Sequence, residues 1–249
     1  MKQFILTVAA GKRLIGRGMA AHPAVTEALA GGRSIVIVAG TTNARVAEEV
    51  LKLIGQGDEF RAAGFRRGLT VPPGVKAPAA ELEGDVVIAG GAWQRGRQIF
   101  DVAGELREGD VIVKGANALD LAARRAAVLV GHPQAGTIGA ALPAAVGRRV
   151  RLIVPVGLEK RIVGSLDAIA ARLNAPGADG PRLLPFVGEV FTELDAIGLL
   201  SGAEAFLVAA GGVCGAEGAC WIGVDGTAEQ VAAAERVIRC VEAEPPCSP

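Results

Sequence analysis

Residues 34–39 read Ser-Ile-Val-Ile-Val-Ala, an unbroken and largely β-branched run set between Gly31-Gly32 and the polar loop Gly40-Thr41-Thr42-Asn43. A strand with apolar side chains on both faces has to be covered twice, as happens in a parallel sheet between helical layers. Residues 44–54 then place Val46, Ala47, Val50, Leu51 and Ile54 at helical spacing, so that their side chains share one face. Strand, polar loop and helix together make half of a βαβ unit.

The pattern recurs along the chain. Gly-Asp introduces two further short apolar strands, at 85–89 and 110–113, which end in Gly90-Gly91 and Lys114-Gly115. More strands are expected at 128–130 and 150–156, the second following a helix at 136–146. Residues 12–29 read as a helix broken near His22-Pro23, where the proline removes a donor and clashes with the preceding turn. Residues 60–75, with Arg61, Arg66, Arg67 and the turn Pro72-Pro73-Gly74, read as an irregular excursion over the sheet. The fold class expected is α/β: a mostly parallel, Rossmann-like sheet with helices on both faces, in a domain spanning 1–160. Beyond residue 160 the texture changes, to helix at 162–173, a Pro/Gly-rich linker at 174–185, helix at 187–200, strands at 205–209 and 219–224, and a helix at 227–241. Thr227 and Gln230 have the spacing of a capping box for that last helix. These elements predict a smaller α+β domain over 161–249, with a fraying Pro-rich tail at 244–249.

Charge and cysteine usage narrow the function classes. Lys plus Arg and Asp plus Glu are balanced at 26 each, so no net field draws the chain to nucleic acid or to an anionic membrane, and neither is expected as a partner. The apolar run near Met1 imitates a signal peptide only weakly, because it is short and the periodic pattern continues through it into Leu14, Ile15 and Met19. No apolar stretch approaches the roughly 20 residues that span a bilayer, and a cytoplasmic location is expected. The cysteines, Cys214, Cys220, Cys240 and Cys247, form no CxxC pair, and His22 and His132 lie far upstream. The spacing fits no zinc pattern, and neither metal nor cofactor is expected. Cys220 and Cys240 read as core residues, and Cys214 as a loop thiol worth testing for reactivity.

In open α/β sheets ligands sit outside the carboxyl ends of the strands. Four such ends carry small polar loops: Gly40-Thr41-Thr42-Asn43, Gly90-Gly91, Lys114-Gly115-Ala116-Asn117, and Gly131-His132-Pro133-Gln134 running on to Gly136-Thr137. In the first, a glycine admits close approach, two hydroxyls can donate, and the start of a helix favours an anion. The alternative is that Thr41, Thr42 and Asn43 only cap that helix. The loop is not a Walker loop and no GxGxxG follows a strand, which disfavours both common routes to nucleotide binding. Lys114 beside such a site can neutralise a phosphate or, once desolvated, act as base or nucleophile with Asp120 orienting it; the alternative is a plain turn with both in solvent. Gly136-Thr137 offers a second anion nest. His132 is either a general acid–base or a turn residue. The catalytic candidates are therefore Lys114, Asp120 and His132. The ligand-binding candidates are Gly40, Thr41, Thr42, Asn43, Gly90, Gly115, Asn117, Gly136 and Thr137, and the partner expected is a small phosphorylated or carboxylated metabolite.

With those residues in place, 34–156 resembles the superfamily of ribose-5-phosphate isomerase, glucosamine-6-phosphate deaminase, CoA transferases and methylthioribose-1-phosphate isomerase. Gly40-Thr41-Thr42-Asn43-Ala44 is similar to the isomerases' Gly-Thr-Gly-Ser-Thr phosphate loop. Lys114 to Asp120 is similar in place to their Asp-Gly-Ala-Asp-Glu segment, and Gly136-Thr137 with the strand ending at Pro155 matches a later helix start and strand. The resemblance implies a sugar-phosphate isomerase-like enzyme, a non-catalytic ligand-binding or regulatory relative such as those of translation initiation, or a CoA transferase-like enzyme, and by analogy a homodimer. It departs from the isomerases where Lys114, Asn117 and Ala118 replace acidic positions, which takes away their carboxylate proton shuttle. The glutamate nucleophile of a CoA transferase has no clear position, although Glu48, Glu49 and Glu159 lie nearby. The resemblance does not extend to 205–241, whose loop 211–218 would cover the site, build a dimer contact, or simply join two strands.

Overall fold

The computed structural model describes residues 1–68, 70–71, 73–76 and 82–246. Pro72, Cys247 and the end of the Pro-rich tail lie outside these described residues. The chain begins with β1 (Lys2–Leu6), α1 (Val8–Ala20), α2 (Pro23–Ala30), β2 (Ile35–Ile37) and α3 (Thr41–Leu53). Thr7 caps α1 by accepting from the Ala10 N–H, and Pro23 opens α2 behind the His22 cap, so the break at His22-Pro23 is a change of helix. The described residues of 60–75 form neither helix nor strand.

Next come β3 (Val86–Ala89), β4 (Ala92–Trp93), α4 (Ile99–Val102), β5 (Val111–Val113), β6 (Ala118–Asp120), β7 (Arg125–Val130), α5 (Gly136–Leu142) and β8 (Arg151–Pro155). They are followed by α6 (Leu166–Leu173), β9 (Arg182–Phe186), β10 (Glu189–Phe191), α7 (Glu193–Ser201), β11 (Glu204–Ala210), β12 (Cys220–Asp225) and α8 (Ala228–Arg239). A six-stranded mixed sheet runs β10-β8-β5-β2-β3-β4. Its strands β10, β8, β5 and β2 are parallel, whereas β3 is antiparallel to β2 and β4 to β3. Two antiparallel sheets, β1-β12-β11 and β6-β7-β9, complete the architecture.

The mixed sheet is built as its composition demands. Ile35, Val36 and Ile37 at its centre are wholly buried. Asp85 and Asp110, the acidic residues that start two strands, are buried too, and each accepts two backbone N–H bonds: Asp85 from Ala39 and Ile99, Asp110 from Ser34 and Arg107. They satisfy donors that the ladder leaves over. One helical layer is formed by α1 packed between α3 and α7. A Cβ on Gly16 of α1 would lie 2.6 Å from the Arg45 carbonyl oxygen, and one on Gly18 would lie 2.7 Å from the Ala196 Cβ, so glycine sets how closely these helices approach.

Several expectations are corrected. The segment 128–130 belongs to β7, which pairs with β6 and β9 and not with the parallel strands. Residues 182–186, inside the expected linker, are β9, where Pro185 fits because β9 is an edge strand. Residues 187–200 open with a strand, β10, that extends the main sheet. The N-terminal β1 pairs with β12, a partner too remote in sequence to leave a local trace. The sheets therefore draw on both sides of residue 160. The capping box of α8 forms as expected between Thr227 and Gln230. Among the described residues no helix is long and apolar enough to cross a membrane.

Candidate functional site

Because β2, β5 and β8 are parallel, their carboxyl ends open at the same end of the sheet. The loops there, with the corner between β7 and α5, enclose a cavity of about 710 Å³. Of the candidates, Gly40, Thr41, Thr42, Asn43, Lys114, Gly115, Asn117, His132, Gly136 and Thr137 line it. Gly90 and Asp120 do not. Gly90 and Gly91, at φ 58° and 77°, make the tight turn between β3 and β4, and antiparallel β3 ends at the opposite end of the sheet from β2. The Asp120 carboxylate accepts from the Ala123 N–H and closes the β6–β7 hairpin.

The start of α3 forms one wall. Gly40 precedes it in an extended conformation, and no side chain caps the helix, so the first-turn N–H groups have no intrahelical acceptor. Capping is thus not the role that Thr41, Thr42 and Asn43 perform. Thr42 and Asn43 are 2% and 1% exposed, yet Thr42 Oγ1 and Asn43 Oδ1 have no hydrogen-bond partner. Asn43 Nδ2 donates to the Val38 carbonyl at 2.7 Å and to the Val113 carbonyl at 3.1 Å, bridging β2 and β5. Two carbonyls at one end of the amide identify that end as NH₂, so the free end is an acceptor.

Other lining residues have structural work. Asn117 Oδ1 accepts from the Leu129 N–H at 3.0 Å, and exposed His132 accepts through Nδ1 from the Gln134 N–H at 3.1 Å. The floor is cationic. Lys114, at the end of β5, donates from Nζ to the Gly115 carbonyl at 3.2 Å, and Lys160 donates to the Ala116 carbonyl at 2.8 Å. Burial lowers the Lys114 pKa to about 8, helped by the charges of Lys160 and Arg67 and opposed by Asp85. Burial likewise lowers Lys160. Arg67 pairs with the Asp85 carboxylate at 2.8 Å and lies over the Phe100 ring at 5.5 Å. No aspartate or glutamate lines the cavity among the described residues.

Sequence reasoning passed over Lys160, Arg67 and Phe100. Lys160 follows the end of β8 by one short turn, so the strand-end rule, carried to β8 as well, finds it; nothing local marks Arg67 or Phe100.

Behind Lys160, Glu193 at the start of α7 is 4% exposed and accepts from the Leu158 N–H at 3.0 Å. Burial and the neighbouring charge of Glu159 push its pKa up to about 8. Glu48 and Glu49 are tied to Arg13, Arg45 and Lys52. Cys220 is buried in β12, whereas Cys240, expected in the core, is exposed just after α8, because the turn there leaves the face that buries Ile238 and Val241. No cluster of His, Cys, Asp and Glu suited to a metal is found among the described residues. No known protein family, curated protein or solved structure matches the chain.

Proposed function

We propose that this protein binds a small phosphorylated or carboxylated metabolite in the cavity at the carboxyl ends of β2, β5 and β8. The observation that carries this reading is the polarity of the lining: its ionisable side chains, Arg67, Lys114, His132 and Lys160, are all basic. A cavity whose described lining holds several cations and no carboxylate attracts anions, and it does so more strongly away from bulk water. The first turn of α3 adds free N–H donors at the same place. Thr42 and Asn43 line the same wall, and their buried Oγ1 and Oδ1 are left without a hydrogen-bond partner.

Four adjacent parallel strands beside the layer of α1, α3 and α7 support a Rossmann-like reading, with β3 and β4 as the antiparallel departure. The placement of Gly40–Asn43, Lys114–Asn117 and Gly136-Thr137 around one cavity supports distant kinship with the sugar-phosphate isomerase and CoA transferase superfamily. Carboxylate-driven isomerisation and glutamyl transfer are both disfavoured because no acidic residue lines the cavity among the described residues. A non-catalytic binding protein of the same fold is the second reading, favoured by that same absence and by the structural bonds of Asn117 and His132.

A thermal-shift titration with inorganic phosphate and with sugar phosphates tests the binding. A ligand of the native state raises the melting temperature by mass action. Stabilisation that is lost in Thr42→Val and in Lys160→Met supports the site, and no stabilisation by any anion on the panel overturns it.

A further inference from the structure

We infer that Lys114 Nζ captures the carbonyl carbon of an anionic aldehyde or ketone as an imine. The inference rests on the anion-binding reading of the same cavity and adds a chemistry to it. Lys114 directly follows β5 and lines the cavity, its backbone N–H still bonded to the Ile153 carbonyl of β8. Among the described residues its ammonium group has one hydrogen bond, to the adjacent Gly115 carbonyl, and no carboxylate pairs with it. Asp85, the acid whose charge reaches it, is already engaged by Arg67, Ala39 and Ile99. Lys160 and Arg67 supply positive charge for an anionic group without it. A lysine that is desolvated, unpaired and placed among other cations loses its proton readily and becomes a nucleophile. Its pKa of about 8 agrees with that placement.

The step balances without a further reagent. Lys114 gives its ammonium proton to solvent, and the freed lone pair bonds to the carbonyl carbon. The carbonyl π pair moves to oxygen, which takes a proton from solvent, and the nitrogen gives up its second proton. The carbinolamine hydroxyl then leaves as water after protonation, and the nitrogen lone pair forms the carbon–nitrogen double bond. Hydrolysis reverses every step.

The test is reductive trapping on the full chain. The protein is incubated with dihydroxyacetone phosphate, with pyruvate, or with uncharged dihydroxyacetone, reduced with cyanoborohydride and mapped by peptide mass spectrometry. The expected result is an adduct on the Lys114 peptide from one or both anionic probes and much less from the uncharged one. The two anionic arms separate a phosphorylated from a carboxylated ligand. The yield rises as pH passes through about 8, and Lys114→Arg, which keeps the charge, forms no adduct. Because the wild-type peptide map locates the adduct, the result does not depend on any variant folding. If inorganic phosphate stabilises the protein but trapping modifies only other lysines, the inference is overturned and the binding reading stands. If phosphate gives no stabilisation and no adduct forms, both fall.

Discussion

Arg67 and Asp85 meet at 2.8 Å at the rim of the cavity, the carboxylate wholly buried and the guanidinium partly so. Asp85 also accepts the N–H groups of Ala39 and Ile99, so one side chain joins the end of β2, the start of α4 and the excursion at 60–75. Removing one partner of a buried pair leaves the rest uncompensated. Asp85→Ala is expected to lower stability by about 3 kcal/mol, read from urea melts. A loss too small to measure would mean that water replaces the carboxylate.

The same carboxylate holds the Lys114 pKa up against burial. In Asp85→Asn, which keeps an acceptor for one of the two N–H groups, the Lys114 pKa falls below its wild-type value of about 8. Competitive acetylation of Lys114 across pH 6–10 checks this. A midpoint that stays in place or rises contradicts the electrostatic coupling.

Glu193 makes stability fall with pH. Its folded pKa, about 8, lies above the ordinary carboxylic value of 4.5, so between those values the native state holds a proton that the unfolded chain has released. Unfolding free energy then decreases as pH rises through that window. Glu193→Gln keeps an acceptor for the Leu158 N–H and removes the titration. The variant is expected to show a flatter profile from pH 5 to 8 and to exceed the wild type at pH 9. Parallel profiles would show that Lys160 and solvent already compensate the charge.

Two glycines separate packing from access. Gly16→Ala drives a methyl group against the Arg45 carbonyl oxygen, 2.6 Å away on a backbone that cannot swing aside, and is expected to lose about 1–3 kcal/mol as α1 shifts off α3. Gly40 has extended backbone, and a Cβ there meets nothing within 4 Å. Gly40→Ala is expected to leave the melting temperature within a few degrees while weakening stabilisation by phosphate, since the methyl group enters the cavity. Equal melting temperatures for the two variants would refute the difference.

What the sequence reveals follows from how local each signal is. The run 34–39 and the helix after it are legible because burial on two faces and helical spacing are both written within about twenty residues. Gly40 and Lys114 reach one cavity because the strand-end rule needs only strands that run the same way, whereas Gly136 enters it from the corner after β7, which belongs to another sheet. It fails at Gly90, where composition says strand but cannot say that β3 runs backwards. Asp120 has acidic chemistry, yet its nearest unsatisfied donor, the Ala123 N–H, is three residues away in its own hairpin. The pairing of β1 with β12 joins the two ends of the chain, and no window on the sequence contains both.

The cysteines distinguish a packed thiol from a loop thiol. Cys220 lies in β12 at 4% exposure, and burial, with the charge of Glu193 beside it, pushes its pKa up to about 11. A thiol reacts through its thiolate, so both access and ionisation protect it. Cys214 sits exposed in the 211–218 loop at φ 56°, and Cys240 is exposed after α8. Under native conditions at pH 7.5, N-ethylmaleimide is expected to label Cys214 and Cys240 and to reach Cys220 only in denaturant. Peptide mapping over time reads each site separately. Native labelling of Cys220 at a rate near that of Cys214 would mean that β12 opens from its neighbours β1 and β11 far more often than their paired ladders allow.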